Sequence, residues 1–401
     1  MPRTRRTVLA QAAAVAALPA GAALAQSAAP VMAPVMAYIG AFSTGGPGIH
    51  PFRFDPETGV LTRAGPPIDF ANATWLEVDS ARGLLFAASE VDSYGPGRTG
   101  SVGAFAIDPA DGSLELLNTV GSGGAAPTHI SRHPSGRWLF VANYDGGSVA
   151  VLRIEPDGRL AGPIDVKQLT HAPGYDPAKS LSGANLAVSD HARPHMHMIH
   201  ADPSGRFVIA ADAGSDRLCI WRFDLDAGKL SPAATPFVDT PAGSAPRHFV
   251  FSADGTRLYL LREHDNMLTA YAFSPETGVL TWTQALSTLP ESFAGSSLSS
   301  ELALSEDGRF LYAGARFRNS ITTFSVATSG ELTRTAETWV QADFPRSFAL
   351  APGGRFLIAC NHRSDNLTTF LVDPASGVLD FTGRFEPVPA PAVVVFHRMG
   401  G

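Results

Sequence analysis

The strongest constraint on this chain is that it repeats itself. The segment HPSGRWLFVANYDGGSVAVLRIEPDGRL, residues 133–160, returns as DPSGRFVIAADAGSDRLCIWRFDLDAGKL from residue 202 and as SADGTRLYLLREHDNMLTAYAFSPETGVL from residue 252. Two more copies begin at residues 305 and 351, and a weaker one, DSARGLLFAASEV, at residue 79. The turn glycines Gly83, Gly136, Gly205, Gly255, Gly308 and Gly354 are spaced by roughly 50 residues, with one wider gap after Gly136. Within a copy, runs of Phe, Leu, Val and Ile flank Asp-Gly or Ser-Gly, the pairs that suit the positive dihedrals of a tight hairpin. Segments such as Asp55-Pro56-Glu57-Thr58-Gly59 close a second hairpin. With 39 Gly and 31 Pro spread along 401 residues, short strands and many turns are expected throughout.

A small antiparallel sheet of three or four strands cannot bury both its faces alone, so the units must stack radially, and a period near fifty residues is that of a propeller blade. Six turn glycines give six blades. The N-terminal strands MAYIGAF and GIHPFRFD lack a first strand, and the C-terminal run Ala392–His397 is a strand without a unit. Pairing the two completes a seventh blade and hides both sheet edges. The fold class is therefore all-β, a seven-bladed β-propeller over residues 36–399 closed by pairing of its N- and C-terminal strands. The wide gap leaves an insertion at about residues 163–194, expected to be a loop over one face, carrying Lys167, His171, Tyr175 and Lys179.

Ahead of the propeller, Thr4-Arg5-Arg6-Thr7-Val8-Leu9 opens an Ala-rich apolar run that ends at Ala23-Leu24-Ala25. Paired arginines before such a run read as a twin-arginine export signal over residues 1–25, removed in the mature protein. A periplasmic or secreted protein with no membrane attachment after cleavage is expected. The formal net charge of −7 includes three leader arginines, so the remainder is more acidic still. This excludes nucleic acid as a natural partner. Cys219 and Cys360 each sit in an apolar run and read as buried thiols.

Aligning the copies on the turn glycine places equivalent residues at equivalent heights around the channel. Eight positions before it stand Trp75, Thr128, His197, Arg247, Ser300 and Arg346; eight positions after it stand Val91, Tyr144, Ala213, Glu263, Arg316 and His362. Both columns fall at one mouth of the channel, where charge is costly unless it pairs or meets a ligand. Glu263 and Arg247 could form a structural ion pair. His191, His195, His197 and His200 could be read as metal ligands, but strand alternation puts His195 and His197 on one face and His200 on the other, which argues against a three-ligand site. Arg346 and His362 could equally be contacts between blades.

The motifs Pro194-His195-Met196-His197, Pro246-Arg247-His248, Arg262-Glu263, Arg316 and Pro345-Arg346, on the repeated SPDGRFLY-like background, resemble the seven-bladed propeller lactonase family. That family includes propeller-type 6-phosphogluconolactonases and carboxymuconate lactonising enzymes, and the resemblance spans the mature chain. It implies a catalytic set of His197, Arg247, Glu263 and Arg316, with Arg346, His362, His195 and Tyr144 lining the substrate site. Arg262 and Ala315 depart from the family pattern beside that set. The implied activity is hydrolysis of a sugar-acid lactone, phosphorylated or not, by a monomer acting on a small molecule. Glu263 would serve as general base, His197 as proton donor or acceptor, and the arginines as clamp and oxyanion partners. A lactone is already an activated ester, so no metal or cofactor is called for. A carboxymuconate-type cycloisomerase and a non-enzymatic binding propeller are the alternatives.

Overall fold

The computed structural model describes residues 34–43, 47–172, 174–176 and 190–400. The export leader expected over residues 1–25, and Lys179 of the insertion, lie outside the described residues. Among the described residues there are 28 strands in seven four-stranded antiparallel sheets, and no α-helix. Blade 1 combines Pro391–Arg398 with Val35–Ala41, Ile49–Phe54 and Leu61–Arg63, in that order from the centre outward. The first strands of blades 2 to 7 are Ala73–Asp79, Pro127–Arg132, Met196–Ala201, Pro246–Phe251, Ser299–Leu304 and Pro345–Leu350. Each first strand touches that of the next blade, and Pro391–Arg398 closes the circle by touching those of blades 2 and 7. Seven blades and their closure by the two chain ends are as the repeat predicts. The C-terminal strand pairs with the N-terminal one from Val35↔Arg398 to Gly40↔Val393.

Turn chemistry sets the blades apart. In the first hairpin of blade 5, Asp254 accepts bonds from the Ser252 hydroxyl (2.5 Å) and the Thr256 amide (3.0 Å), while Gly255 takes φ +67°. The second hairpin turn does two jobs. Gly278 has φ +76°, and a Cβ there would stand 2.5 Å from the Phe207 ring of blade 4, so only glycine lets the two blades close. Gly59 against Phe356 repeats the arrangement between blades 1 and 7. Nearby turn carbonyls accept bonds from tyrosines of the preceding blade, Tyr38 to Gly112 (2.7 Å) and Tyr312 to Gly377 (2.9 Å).

The core is accordingly not one cluster but seven, each built from two neighbouring blades. Cys219 and Cys360 are buried in two of them as free thiols, as the sequence suggests. The expected insertion starts later than residue 163, because the outer strand of blade 3 runs Leu160–Gln168 and carries Lys167. His171 and Tyr175 beyond it are not a solvated loop: the His171 imidazole meets Ser215 Oγ at 2.9 Å and the Tyr175 hydroxyl donates to the Gly214 carbonyl at 2.9 Å.

Candidate active site

At the entry of the first strand of blade 5, Pro246 pairs with Arg262 and His248 with Leu261, so Arg247 is the extra residue of a β-bulge. The same irregularity recurs at Ala73/Trp75, Pro127/His129, Met196/Met198 and Pro345/Ser347, and more widely at Ser299/Leu302. A bulge re-aims the side chain it contains. Here it frees Thr74, Thr128, His197, Arg247 and Arg346 from the strand alternation, and all five line a cavity of about 10 Å³ at the channel mouth, room for about one water molecule.

Around this opening runs a ring of equivalent backbone bonds, each joining the end of a second strand to the residue just ahead of a first strand. Tyr144 N donates to Ala126 O (2.8 Å), Ala213 N to His195 O (2.8 Å), Glu263 N to Ala245 O (2.7 Å), Arg316 N to Leu298 O (2.8 Å) and His362 N to Phe344 O (3.0 Å). Two further members were not read from the sequence. Glu90 N donates to Asn72 O (2.9 Å) and Phe42 N to Ala390 O (3.1 Å). Trp75 and Val91 are therefore each one residue out of register, and Thr74 and Glu90 hold the ring positions of blade 2. The cause is the place of the glycine in a turn of the same length: Arg82 N donates to Asp79 O as Gly255 N does to Ser252 O, so Gly83 stands one residue later in its turn than Gly255.

The four residues expected to be catalytic do come together. Glu263 Oε1 lies 2.7 Å from Arg316 Nη2 and its Oε2 lies 3.1 Å from Arg247 Nε. Main-chain carbonyls hold the arginines from behind: Arg247 Nη1 donates to Ser300 O, and Arg316 Nη2 to Ser299 O at 3.0 Å. Arg316 Nε has no partner among the described residues, and neither has His197 Nδ1. His197 meets the edge of Tyr144 (ring centroids 5.6 Å apart) and of His248 (5.1 Å). Beneath them His248 Nδ1 lies 2.7 Å from Glu301 Oε1, and the Ser347 hydroxyl donates to Glu301 Oε2 at 2.8 Å.

Burial pushes the Glu263 carboxyl up, but the Arg316 and Arg247 guanidiniums outweigh it and hold the group at about 2. Burial and the nearby Arg316 charge lower Arg247 to about 9 despite Glu263. Burial, reinforced by Arg247, keeps His197 well below the usual imidazole range and therefore neutral at pH 7. Two buried guanidiniums meet at the Glu263 carboxylate, and Glu301 beneath adds a weaker attraction on Arg247.

The outer candidates divide. Arg346 lines the cavity, lies 3.5 Å from Glu90 and stacks over the Phe42 ring at 4.8 Å. His362 packs edge-on against the same Phe42 ring at 5.1 Å. His195 is committed elsewhere: its ring stacks on Tyr144 at 4.3 Å, Nδ1 lies 3.0 Å from the Tyr144 carbonyl and Nε2 3.3 Å from Asp190. It braces Tyr144. The four histidines considered as ligands do not converge, for His191 meets Asp216 at 3.4 Å and His200 Nδ1 meets the Ala201 carbonyl at 2.6 Å. Among the described residues no group of three or more His, Cys, Asp or Glu is arranged around a common metal position.

The sequence model of the family described as Lactonase, 7-bladed beta-propeller matches residues 36–396. The chain belongs to this family. Among its relatives is the 6-phosphogluconolactonase of Bacillus subtilis, 29% identical over 322 residues, 79% of this chain and 85% of that protein. Another is the 6-phosphogluconolactonase of Serratia proteamaculans, 29% identical over 276 residues, 69% of this chain and 76% of that one. The solved periplasmic gluconolactonase of Pseudomonas aeruginosa superposes with a TM-score of 0.82 at 31% identity, covering 91% of this chain and 99% of that structure. In this propeller lactonase, Arg262, one of the two departures from the family pattern, turns from the mouth and pairs with Asp265 at 2.7 Å. Ala315, the other, is fully buried.

The depressed Glu263 carboxyl carries a stability consequence with a definite sign. A carboxylate whose folded pKa lies below its unfolded value stabilises the fold above the unfolded value, here 4.5, and that contribution disappears as pH falls toward about 2. Glu263→Gln is expected to cost about 3 kcal/mol at pH 7, from the size of the shift and the two buried guanidiniums that lose the carboxylate they share. The gap between variant and parent should narrow below pH 4. Urea midpoints at pH 7 and pH 3 test this; a gap equally wide at both would show that Glu263 is not held ionised by its neighbours.

Proposed function

We propose that this chain hydrolyses a sugar-acid lactone at the mouth that carries Arg247, Glu263, Arg316 and His197. The observation that carries the reading is the convergence of two buried guanidiniums beside the cavity, one with an unpartnered Nε, which suits the oxyanion that forms when water adds to a lactone carbonyl. Preorganised donors in a site shielded from solvent stabilise such an oxyanion far better than water does. Arg316 Nε, without a protein partner, and Arg247, in the cavity wall, are the donors. Glu263 holds both arginines at one spot. A carboxyl at about 2 is too weak a base to draw a proton from water near neutrality, so it serves as fixed counter-charge and not as the general base its residue type suggests. His197, kept neutral, offers its free Nδ1 as a hydrogen-bond acceptor to a substrate hydroxyl. Arg346, less enclosed than Arg247, reads the far substituents of the acid together with His362, while Tyr144, braced by His195, walls one side.

The leader motif at Arg5-Arg6 supports twin-arginine export to the periplasm, where a non-phosphorylated aldonolactone is the natural substrate. The periplasmic gluconolactonase of Pseudomonas aeruginosa among the similar structures supports the same choice. The protein acts as a monomer in this reading, because the inner strand of blade 1 is supplied by the same chain and not by a partner. The test is alkali uptake with gluconolactone, 6-phosphogluconolactone and a panel of γ- and δ-lactones, beside the ultraviolet absorbance of a carboxymuconate. Uptake with an aldonolactone supports the reading. A muconate signal without uptake, or silence on all substrates, overturns it.

A further inference from the structure

Hydrolysis needs a group that accepts the proton of the attacking water, and neither Glu263 nor His197 has the basicity for it. We infer that this group is Glu90, the carboxylate that stands on the opposite side of the same ring. The inference rests on the lactonase reading above.

Position is the first support. Glu90 and Glu263 spring from equivalent backbone sites, their amides donating to Asn72 O and Ala245 O, in blades 2 and 5. They stand three blade positions apart in a ring of seven, and each pairs with an arginine that lines the cavity, Glu90 with Arg346 and Glu263 with Arg247. The second support is the difference in how they are held. Glu263 has one guanidinium at each oxygen, at 2.7 and 3.1 Å, and its side chain is 6% exposed. Glu90 meets a single cation, Arg346, at the looser distance of 3.5 Å, and 20% of its side chain is open to solvent at the mouth. Arg346 is itself shared with the face of the Phe42 ring.

Electrostatics agrees with the geometry. Burial pushes the Glu90 carboxyl above the usual range; Arg346, the Thr74 hydroxyl and Arg247 oppose the push without cancelling it, and Asp145 adds to it. Two carboxylates in one site whose surroundings drive their affinities for protons apart are the usual sign of divided roles. Glu263 stays charged and organises the arginines, whereas the surroundings of Glu90 raise its affinity for a proton.

The step balances as follows. Glu90 removes one proton from a water molecule as the water oxygen bonds to the lactone carbonyl carbon, and the carbonyl π pair moves onto oxygen beside Arg247 and Arg316. That pair then re-forms the C=O bond and expels the ring oxygen, which takes the proton held by Glu90. The product is an open hydroxy acid whose carboxyl ionises to solvent, and Glu90 is again a carboxylate.

The experiment is a pH series of kcat and KM for the mature protein and for Glu90→Gln and Glu90→Asp, on whichever aldonolactone the parent hydrolyses fastest. The parent should lose kcat/KM as pH falls through a value above the ordinary glutamate range. Glu90→Gln should lower kcat by roughly two to four orders of magnitude with KM nearly unchanged and should abolish that acid limb, the signature of a missing general base. Glu90→Asp should restore part of kcat together with the limb, and serves as the working variant if the glutamine form fails to fold. A Glu90→Gln enzyme within a few-fold of parental kcat overturns the assignment, as does one that keeps the acid limb. So does a change confined to KM and melting temperature, which would make Glu90 only the ion-pair partner of Arg346. A parent silent on every lactone overturns the lactonase reading and this role with it, whereas an active parent beside an unimpaired variant overturns the role alone.

Discussion

Deleting residues 391–400 should leave a chain that no longer melts cooperatively. The strand Pro391–Arg398 is the innermost member of blade 1, hydrogen-bonded to Val35–Ala41 along its whole length and touching the first strands of blades 2 and 7. Ala392, Val393 and Val394 are almost fully buried and feed two different core clusters. At about 1.5–3 kcal/mol for each large apolar side chain, removing the valines and Phe396 withdraws an amount comparable to the whole net stability of a typical domain, about 5–15 kcal/mol. The deletion also exposes the edge of Val35–Ala41, a template for aggregation. Thermal melts and light scattering of the shortened chain test this. A synthetic peptide of residues 391–400, added in trans, should restore a cooperative transition if loss of the strand is the cause. A truncated protein that melts like its parent would place ring closure elsewhere.

The second large effect is chemical. Arg247→Ala or Arg316→Ala should each reduce kcat/KM by roughly 10²–10³, about 2.7–4 kcal/mol, the usual loss for one oxyanion donor. The double variant should fall by much less than the product of the two. Each arginine also neutralises Glu263, and residues that share one partner do not contribute independently. Lysine should recover only part of the loss at either position, since an ammonium cannot span Glu263, a main-chain carbonyl and a substrate oxygen at once as the planar fork does. Initial rates over a full substrate range settle the comparison. Independent, multiplicative losses would mean that the two arginines act at separate places.

Much of this was legible because repetition is a sequence property. Six in-phase turn glycines gave the blade count, and the unpaired strands at the two ends gave the closure. His197, Arg247, Glu263 and Arg316 were legible as columns because blades 4, 5 and 6 hold their glycine at the same place in the turn. In blade 2 the glycine stands one residue later in its turn, and that single difference hid Glu90 behind Val91 and Thr74 behind Trp75. Phe42 escaped for another reason: blade 1 draws its first strand from the far end of the chain, so no local spacing relates Phe42 to Ala390. The role of Glu263 was hidden by distance in sequence. Residue type suggested a base, but its proton affinity is set by two arginines on other strands. The same holds for His195, whose neighbour in the strand, His197, faces the cavity while it braces a tyrosine.

The bulge at the head of each first strand has an evolutionary consequence. Because Arg247 and its counterparts are the surplus residues of the pairing, their identity is not tied to the register that joins first and second strands. The blades already demonstrate the tolerance, with threonine, histidine or arginine occupying the same bulge on nearly the same backbone. Such positions form an alphabet that selection can rewrite one letter at a time while the interblade cores, which carry the stability, stay as they are. A ring of this kind separates the cost of acquiring a new substrate from the cost of staying folded.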